Sequence, residues 1–152
     1  MITIESYFKF NNEFVNACDY NGVLPEDDNH LDGAIILIIN GTPIITLQHW
    51  DYVIVFWRFI ISEISDTLLQ KETKVGFPDQ PSEIKFIPVL GDRVLIHLDD
   101  KKLTSVDRKE LLKAITVAAK TFFSKLIELS SNKKDVYQNQ LTIVKTLEER
   151  IN

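Results

Sequence analysis

The residues best placed to do chemistry lie in one acidic stretch, Glu26-Asp27-Asp28-Asn29-His30-Leu31-Asp32. His30 sits two positions from both Asp28 and Asp32, a spacing that could hold a divalent ion or form an acid/base pair without a serine. With Gly33 added, Asp28-x-His30-x-Asp32-Gly33 imitates the opening of a calcium loop, with glycine in sixth place and Ile35 in eighth. The imitation ends there. Twelfth place is Ile39, where the site needs a bidentate glutamate, and helices are not expected on either side. The plainer reading of Glu26, Asp27, Asp28 and Asp32 is a solubilising loop; the functional one is a patch that meets a basic partner.

Other reactive side chains are scattered. His97 falls on an expected strand opposite Phe86, where packing is the usual role, and His49 precedes a helix start. Cys18 is the single cysteine, so no internal disulfide and no thiol cluster for a metal can form. No nucleophile elbow, zinc-binding helix, dinucleotide loop or phosphate loop occurs. Lys109, Lys113 and Lys120 make a basic row without interleaved aromatics, which reads as a solvated helix face before a nucleic-acid footprint. A cofactor is not expected, and neither is catalysis.

Charge is unevenly spread. Residues 1–57 hold one base, Lys9, and eight acids, a formal −7, whereas 58–152 hold sixteen bases and fourteen acids, which together make the net −5. Such an acidic first third disfavours nucleic acid and favours a basic partner. Apolar and charged fractions of 45% and 26% are those of a globular chain in water. The first ten residues, MITIESYFKF, lack the basic-then-apolar order of a secretory signal, and AIILII at 34–39 is too short to span a bilayer. The expectation is a cytoplasmic protein, one domain over 1–152, with no membrane and no nucleic acid among its partners.

The elements that must position these residues centre on Asp51 to Gln70, DYVIVFWRFIISEISDTLLQ, which predicts a long apolar helix. Trp50, Val53, Ile54, Trp57, Ile60, Ile61, Ile64 and Leu68 share the face that buries against a sheet. Asp51 would cap it, with Trp50 and Val55 as a hydrophobic staple. Tyr52, Phe56 and Phe59 form a back face that also needs cover, at a cost of about 1.5–3 kcal/mol for each large apolar side chain left in water. The tail helix is the expected cover, with the loop at 19–32, homodimer formation or a foreign partner as the alternatives.

Before this helix, residues 2–10 alternate as a half-buried strand, with Ile2, Ile4, Phe8 and Phe10 on one face. Residues 13–18 are a short strand or a helical turn, and 19–32 a polar loop. AIILII-Asn40-Gly41-TPIITL is a hairpin with Ile39 opposite Thr42, Leu37 opposite Ile44 and Ile35 opposite Thr46. Because 35–39 is apolar on both faces, that strand is expected to be central and covered on both sides; Pro43 needs an edge or a ladder gap. A second hairpin turns at Gly91-Asp92, pairing Val89 with Val94, Ile87 with Ile96 and Phe86 with His97. Asp107 and Glu110 then form a capping box, with Val106 and Leu111 as its staple. The helix that follows carries Leu111, Ile115, Ala119, Phe122 and Leu126 inward, and Asp135 caps either a separate tail helix or the continuation of the same one. The sum is an α+β domain: a mainly antiparallel sheet, made of two hairpins and an N-terminal strand, packed by a central helix and one or two C-terminal helices.

The runs Asp32-Gly33-Ala34-Ile35, Ile39-Asn40-Gly41, Trp50-Asp51, Phe77-Pro78-Asp79-Gln80-Pro81 and Gly91-Asp92-Arg93-Val94-Leu95 resemble a group of small acidic bacterial α+β proteins, some of which are immunity proteins of polymorphic toxin systems. The likeness covers about the middle half of the chain and rests on turns and helix starts. It implies a cytoplasmic protein that neutralises a cognate toxin by binding it, and carries over no site residue. Charge and helix periodicity nominate Glu26, Asp27, Asp28 and Asp32 as the surface for a basic toxin and Tyr52, Phe56 and Phe59 as aromatic anchors. The alternatives are a structural or regulatory homodimer, or a small ligand-binding protein or enzyme with a cleft near His30 or His97.

Overall fold

A computed structural model describes residues 1–151. Two antiparallel sheets and three helices make up the α+β fold, so the predicted class holds, with two sheets in place of one. The first sheet has β1 (Ile2–Phe10), β2 (Glu13–Asn16), β3 (Asp32–Ile39) and β4 (Thr42–Ile45) in the order β2-β1-β3-β4, and β5 (Asp51–Tyr52) also pairs with β3. The second runs β6 (Thr73–Gly76), β7 (Glu83–Val89), β8 (Arg93–Leu98) and β9 (Lys101–Asp107) in sequence order. Helices α1 (Val53–Thr67), α2 (Arg108–Leu129) and α3 (Lys134–Ile151) complete the chain.

Alternation along β1 decides which face of the first sheet is inside. Phe8 is fully buried, and Ser6 accepts a hydrogen bond from the Trp57 indole N–H at 2.9 Å, so the even residues face the helices. Across the ladder, Ile35, Leu37 and Ile39 of β3 lie on the same side, and all three are buried. Trp57 and Ile60 of α1, Ile115 of α2, and Ile84 and Phe86 of the second sheet meet Ile4, Ile35 and Leu37 around a void of about 20 Å³. The buried residues of both sheets and all three helices form one contiguous cluster.

The opposite face of the first sheet, with Glu5, Tyr7 and Lys9 of β1 and Ile36 and Ile38 of β3, carries no second layer among the described residues. β3 is central, as expected, yet is covered on one side only. Ile36 and Ile38 lie half-buried in a shallow apolar depression with Pro43 and Leu47.

Both hairpin registers depart from expectation. Ile39 does oppose Thr42 across Asn40-Gly41, but Ile38 then pairs with Pro43 and Leu37 with Ile45, so Ile44 is bulged out of the ladder. Proline has no amide to pair, and the sheet absorbs it at an edge strand with a bulge, which buries both Ile44 and Ile45. In the second hairpin Val89 pairs with Arg93, Ile87 with Leu95 and Phe86 with Ile96, so Leu90 joins Gly91 and Asp92 in the turn. A slip of one residue inverts every facing side chain. The observed register is the one that puts Ile84, Phe86, Val94 and Ile96 together in the core.

The central helix is shorter than its apolar run. It ends at Thr67, where Leu68 and Leu69 take left-handed φ values of 52° and 56°, and this reversal lets Leu69 return to the core. Asp51 does not cap it. Asp51 belongs to β5 opposite Gly33, and its carboxylate accepts from the Tyr52 amide at 2.7 Å and the Asp79 amide at 3.1 Å. Trp50, in extended backbone ahead of the helix, is 41% exposed and has left the buried stripe. Asp107 caps α2 as expected, accepting from the Glu110 amide at 2.9 Å. The chain breaks after Leu129, so α2 and α3 are two helices.

Candidate partner-binding face

The acidic stretch and the central helix divide into a structural part and an open part. Asp28 is structural. It is 3% exposed, receives the Tyr137 hydroxyl of α3, and pairs with Lys133 Nζ at 2.9 Å. The same ammonium donates to the Glu26 carbonyl at 2.6 Å. A buried carboxylate is tolerated when charge and hydrogen bonds meet it in this way. Its place on a surface patch, suggested by its neighbours in sequence, is therefore corrected: Asp28 staples the loop to α3.

Phe56 is also interior, 2% exposed, with its ring 4.5 Å from that of Phe77. Of the predicted back face, Phe56 is met by the Phe77 ring, a cover that the sequence did not point to. Phe59 remains 42% exposed, and Tyr52 lies between the two extremes with the His30 ring edge-on at 5.0 Å.

The open part is continuous. Asp27 accepts from His30 Nδ1 at 2.6 Å, and since a carboxylate only accepts, that nitrogen carries the proton. His30 leads to Tyr52, Tyr52 pairs with Asp32 across the β3–β5 ladder, and both line an open cleft of about 460 Å³ with Gln48, Trp50, Asp79 and Gln80. Gln80 Nε2 donates to the Trp50 carbonyl at 2.5 Å, which fastens the proline-bounded loop across the cleft. Lys9 Nζ stands 4.3 Å from the Trp50 ring centre, a cation–π contact at the rim.

Electrostatics follow from this grouping. The Asp79 carboxylate, then loss of solvent, then the Asp79 hydrogen bond, Asp32 and Asp51 raise the Tyr52 phenol above its ordinary value, so it stays a proton donor at neutral pH. On the adjoining open sheet face, burial first and the Glu5 carboxylate second raise Tyr7. Glu5 also accepts from Asn16 Nδ2 at 3.1 Å. The surface sets Glu5, Asp32 and Asp79 beside the rings of Tyr7, Tyr52 and Trp50, with Lys9 over the indole at its rim.

Of the residues singled out in sequence, the structure brings Asp32 and Tyr52 together, links Asp27 to Tyr52 only through His30, leaves Glu26 exposed nearby in sequence, leaves Phe59 exposed on α1, and buries Asp28 and Phe56. Asp79, Trp50 and Gln80 were missed as site residues. Their signal was the rigid Phe77-Pro78-Asp79-Gln80-Pro81 loop, whose destination depends on Asp51 and could not be seen locally. His49 is accounted for by its turn, accepting at Nδ1 from the Thr46 amide at 2.9 Å. Lys120, from the basic row, pairs with Glu148 at 3.1 Å. Among the described residues no group of three His, Cys, Asp or Glu side chains could hold a metal ion, and no helix is long and apolar enough to cross a membrane.

No protein-family model, curated protein or solved structure matches the chain. The likeness to immunity proteins therefore rests on its turn and helix-start motifs alone.

Proposed function

We propose that the protein is a non-catalytic cytoplasmic binding protein of the immunity type, which neutralises a basic toxin by occluding it with the face around Tyr52. The observation that carries this reading is the placement of Asp32 and Asp79 with Tyr52 and Trp50 at an open cleft, with Asp27 joined to Tyr52 through the His30 ring. Carboxylates arranged in this way speed encounter with a basic protein, and Trp and Tyr supply the anchoring area. The back of the central helix is the weaker surface. Phe56 is already buried, which leaves Phe59 and the flank of Val55 for a homodimer.

The test is binding to the product of the adjacent gene, read by surface plasmon resonance. Asp27→Lys, Asp32→Lys and Asp79→Lys together slow association at least tenfold and weaken its salt dependence. Asp28 is left alone because it holds the loop. Unchanged association by the triple variant removes this face, and no association by the wild-type chain removes the immunity reading.

A further inference from the structure

The second feature lies on the opposite flank of the first sheet. β2 pairs only with Tyr7 to Phe10 of β1, whereas β3 runs along the other side of β1 from Ile2 to Phe8. The Ile2–Ser6 half of β1 is therefore a strand edge with no strand partner among the described residues. Which backbone groups it presents follows from the turns. Phe10 and Glu13 close a two-residue loop whose residues, Asn11 and Asn12, both have positive φ (50° and 70°). The closing pair of such a loop exchanges both of its hydrogen bonds. Counting back by twos from Phe10, the N–H and C=O of Phe8 aim at β2, and those of Ser6, Ile4 and Ile2 aim past its end into the open. The Asn40-Gly41 turn agrees independently: it sends Ile39 to Thr42, and so Ile38 to Thr3. This edge carries none of the proline or lysine that usually blunts one.

Beside it runs a groove of about 370 Å³, walled by the side chains of Ile2 and Ile4 on one side and by α2 on the other. Val117 of α2 stands in it 59% exposed. No carboxylate lines the groove, whereas Lys113 and Lys125 do. Lys125 leans on the Cys18 carbonyl at 3.3 Å with Glu128 at 3.9 Å, and Lys113 has no ion-pair partner among the described residues. On a chain of net charge −5, this rim is positive.

We propose that the free half of β1 takes up an extended segment of a partner protein as an added strand, with an apolar centre over Val117 and an acidic residue at each end. Twelve helical positions from Lys113 to Lys125 span about 18 Å, and strand residues advance about 3.3 Å each. Two carboxylates on one face of the segment therefore stand about six residues apart. A second copy of this chain fits less well. Pairing two β1 edges about a two-fold at Ile4 sets two α2 helices side by side, with Lys113 of one facing the Lys125 end of the other. An apolar small molecule fills the groove but leaves the outward backbone groups of Ile2, Ile4 and Ser6 unpaired.

The probe is the synthetic peptide Glu-Thr-Val-Thr-Val-Thr-Glu, with a control carrying lysine at both ends, titrated into ¹⁵N-labelled protein. Binding is expected to perturb the amides of Ile2, Ile4 and Ser6 and to slow their hydrogen exchange at least tenfold. The lysine peptide is expected to bind at least tenfold more weakly, and Lys113→Glu with Lys125→Glu to reverse that order. Ile4→Pro removes one outward amide and abolishes uptake; because it also stresses the strand, the lysine pair of α2, with Lys113 exposed and Lys125 partly buried, serves as the second variant. Equal affinity for the two peptides, perturbation away from β1, or a dimer in sedimentation whose β1 amides are already protected overturns the proposal.

Discussion

Tyr137 of α3 donates its hydroxyl hydrogen to the buried carboxylate of Asp28, a residue 109 positions earlier in the chain. Lys133 joins them one helical turn away at 2.9 Å, and the three together close the acidic loop onto the last helix. The loop that carries Asp27 and His30 to the open face is held from behind by this contact.

Breaking it has graded consequences. Tyr137→Phe leaves Asp28 with Lys133 and is expected to cost about 1–3 kcal/mol. Asp28→Ala strands both partners and is expected to cost on the order of 3 kcal/mol. Urea midpoints measure both, and amide exchange across residues 24–31 should quicken in Asp28→Ala while the β3 core stays protected.

Phe56 and Phe59 lie three residues apart on α1 and should respond very differently to truncation. Phe56→Ala opens a cavity against Phe77 and is expected to cost about 3–5 kcal/mol. Phe59→Ala, at a half-open site, is expected to cost less than about 1 kcal/mol. Similar losses from both would show that Phe59 is covered in solution, as a homodimer would require.

Gly33 was the sixth place of an imitated calcium loop, but its need for glycine is steric. A Cβ there would lie 2.2 Å from the Tyr7 carbonyl oxygen and 2.7 Å from Val53 Cγ1. Gly33→Ala is expected to destabilise by about 1–3 kcal/mol through overpacking at the junction of β1, β3 and α1. Added calcium should leave the thermal midpoints of wild type and variant unmoved.

The second sheet should carry a small acid dependence. The Arg108 hydrogen bond lowers the Asp92 carboxyl against an opposing desolvation, and the Lys85 hydrogen bond does the same for Asp100. A carboxyl lowered in the folded state adds stability that is present above its unfolded value, about 3.9, and is lost as pH falls through the folded one. Asp92→Asn and Asp100→Asn should therefore be less stable than wild type at pH 7, with the gap narrowing as pH falls below about 3.9. A gap that widens on acidification would show that these pairs do not stabilise the fold.

Much of the scaffold was legible in sequence because its causes are local. The alternation of Ile2, Ile4, Phe8 and Phe10 reports which face of β1 is wet, and Asn40-Gly41 supplies the two positive φ angles that a tight hairpin needs. Asp107 is read as a cap from its own neighbours. The candidate face was legible in part: Asp27, Asp32 and Tyr52 were named from charge and periodicity, whereas Asp79 and Trp50 were not, since a loop does not announce which cleft it will line.

Local patterning by itself determined the class of fold, the course of β1, of the two hairpins and of the C-terminal helices, and the acidic character of the first third, whereas β5, β6 and β9 carried no readable signal. Only the tertiary structure decided which of four neighbouring acids is buried, which of two phenylalanines is covered, which hairpin register is used, and that half of β1 is left without a partner. Those outcomes turn on contacts between residues far apart in the chain, such as Asp28 with Tyr137 and Trp57 with Ser6. Burial and pairing energies at such contacts belong to neither segment alone, and no window of sequence contains both sides.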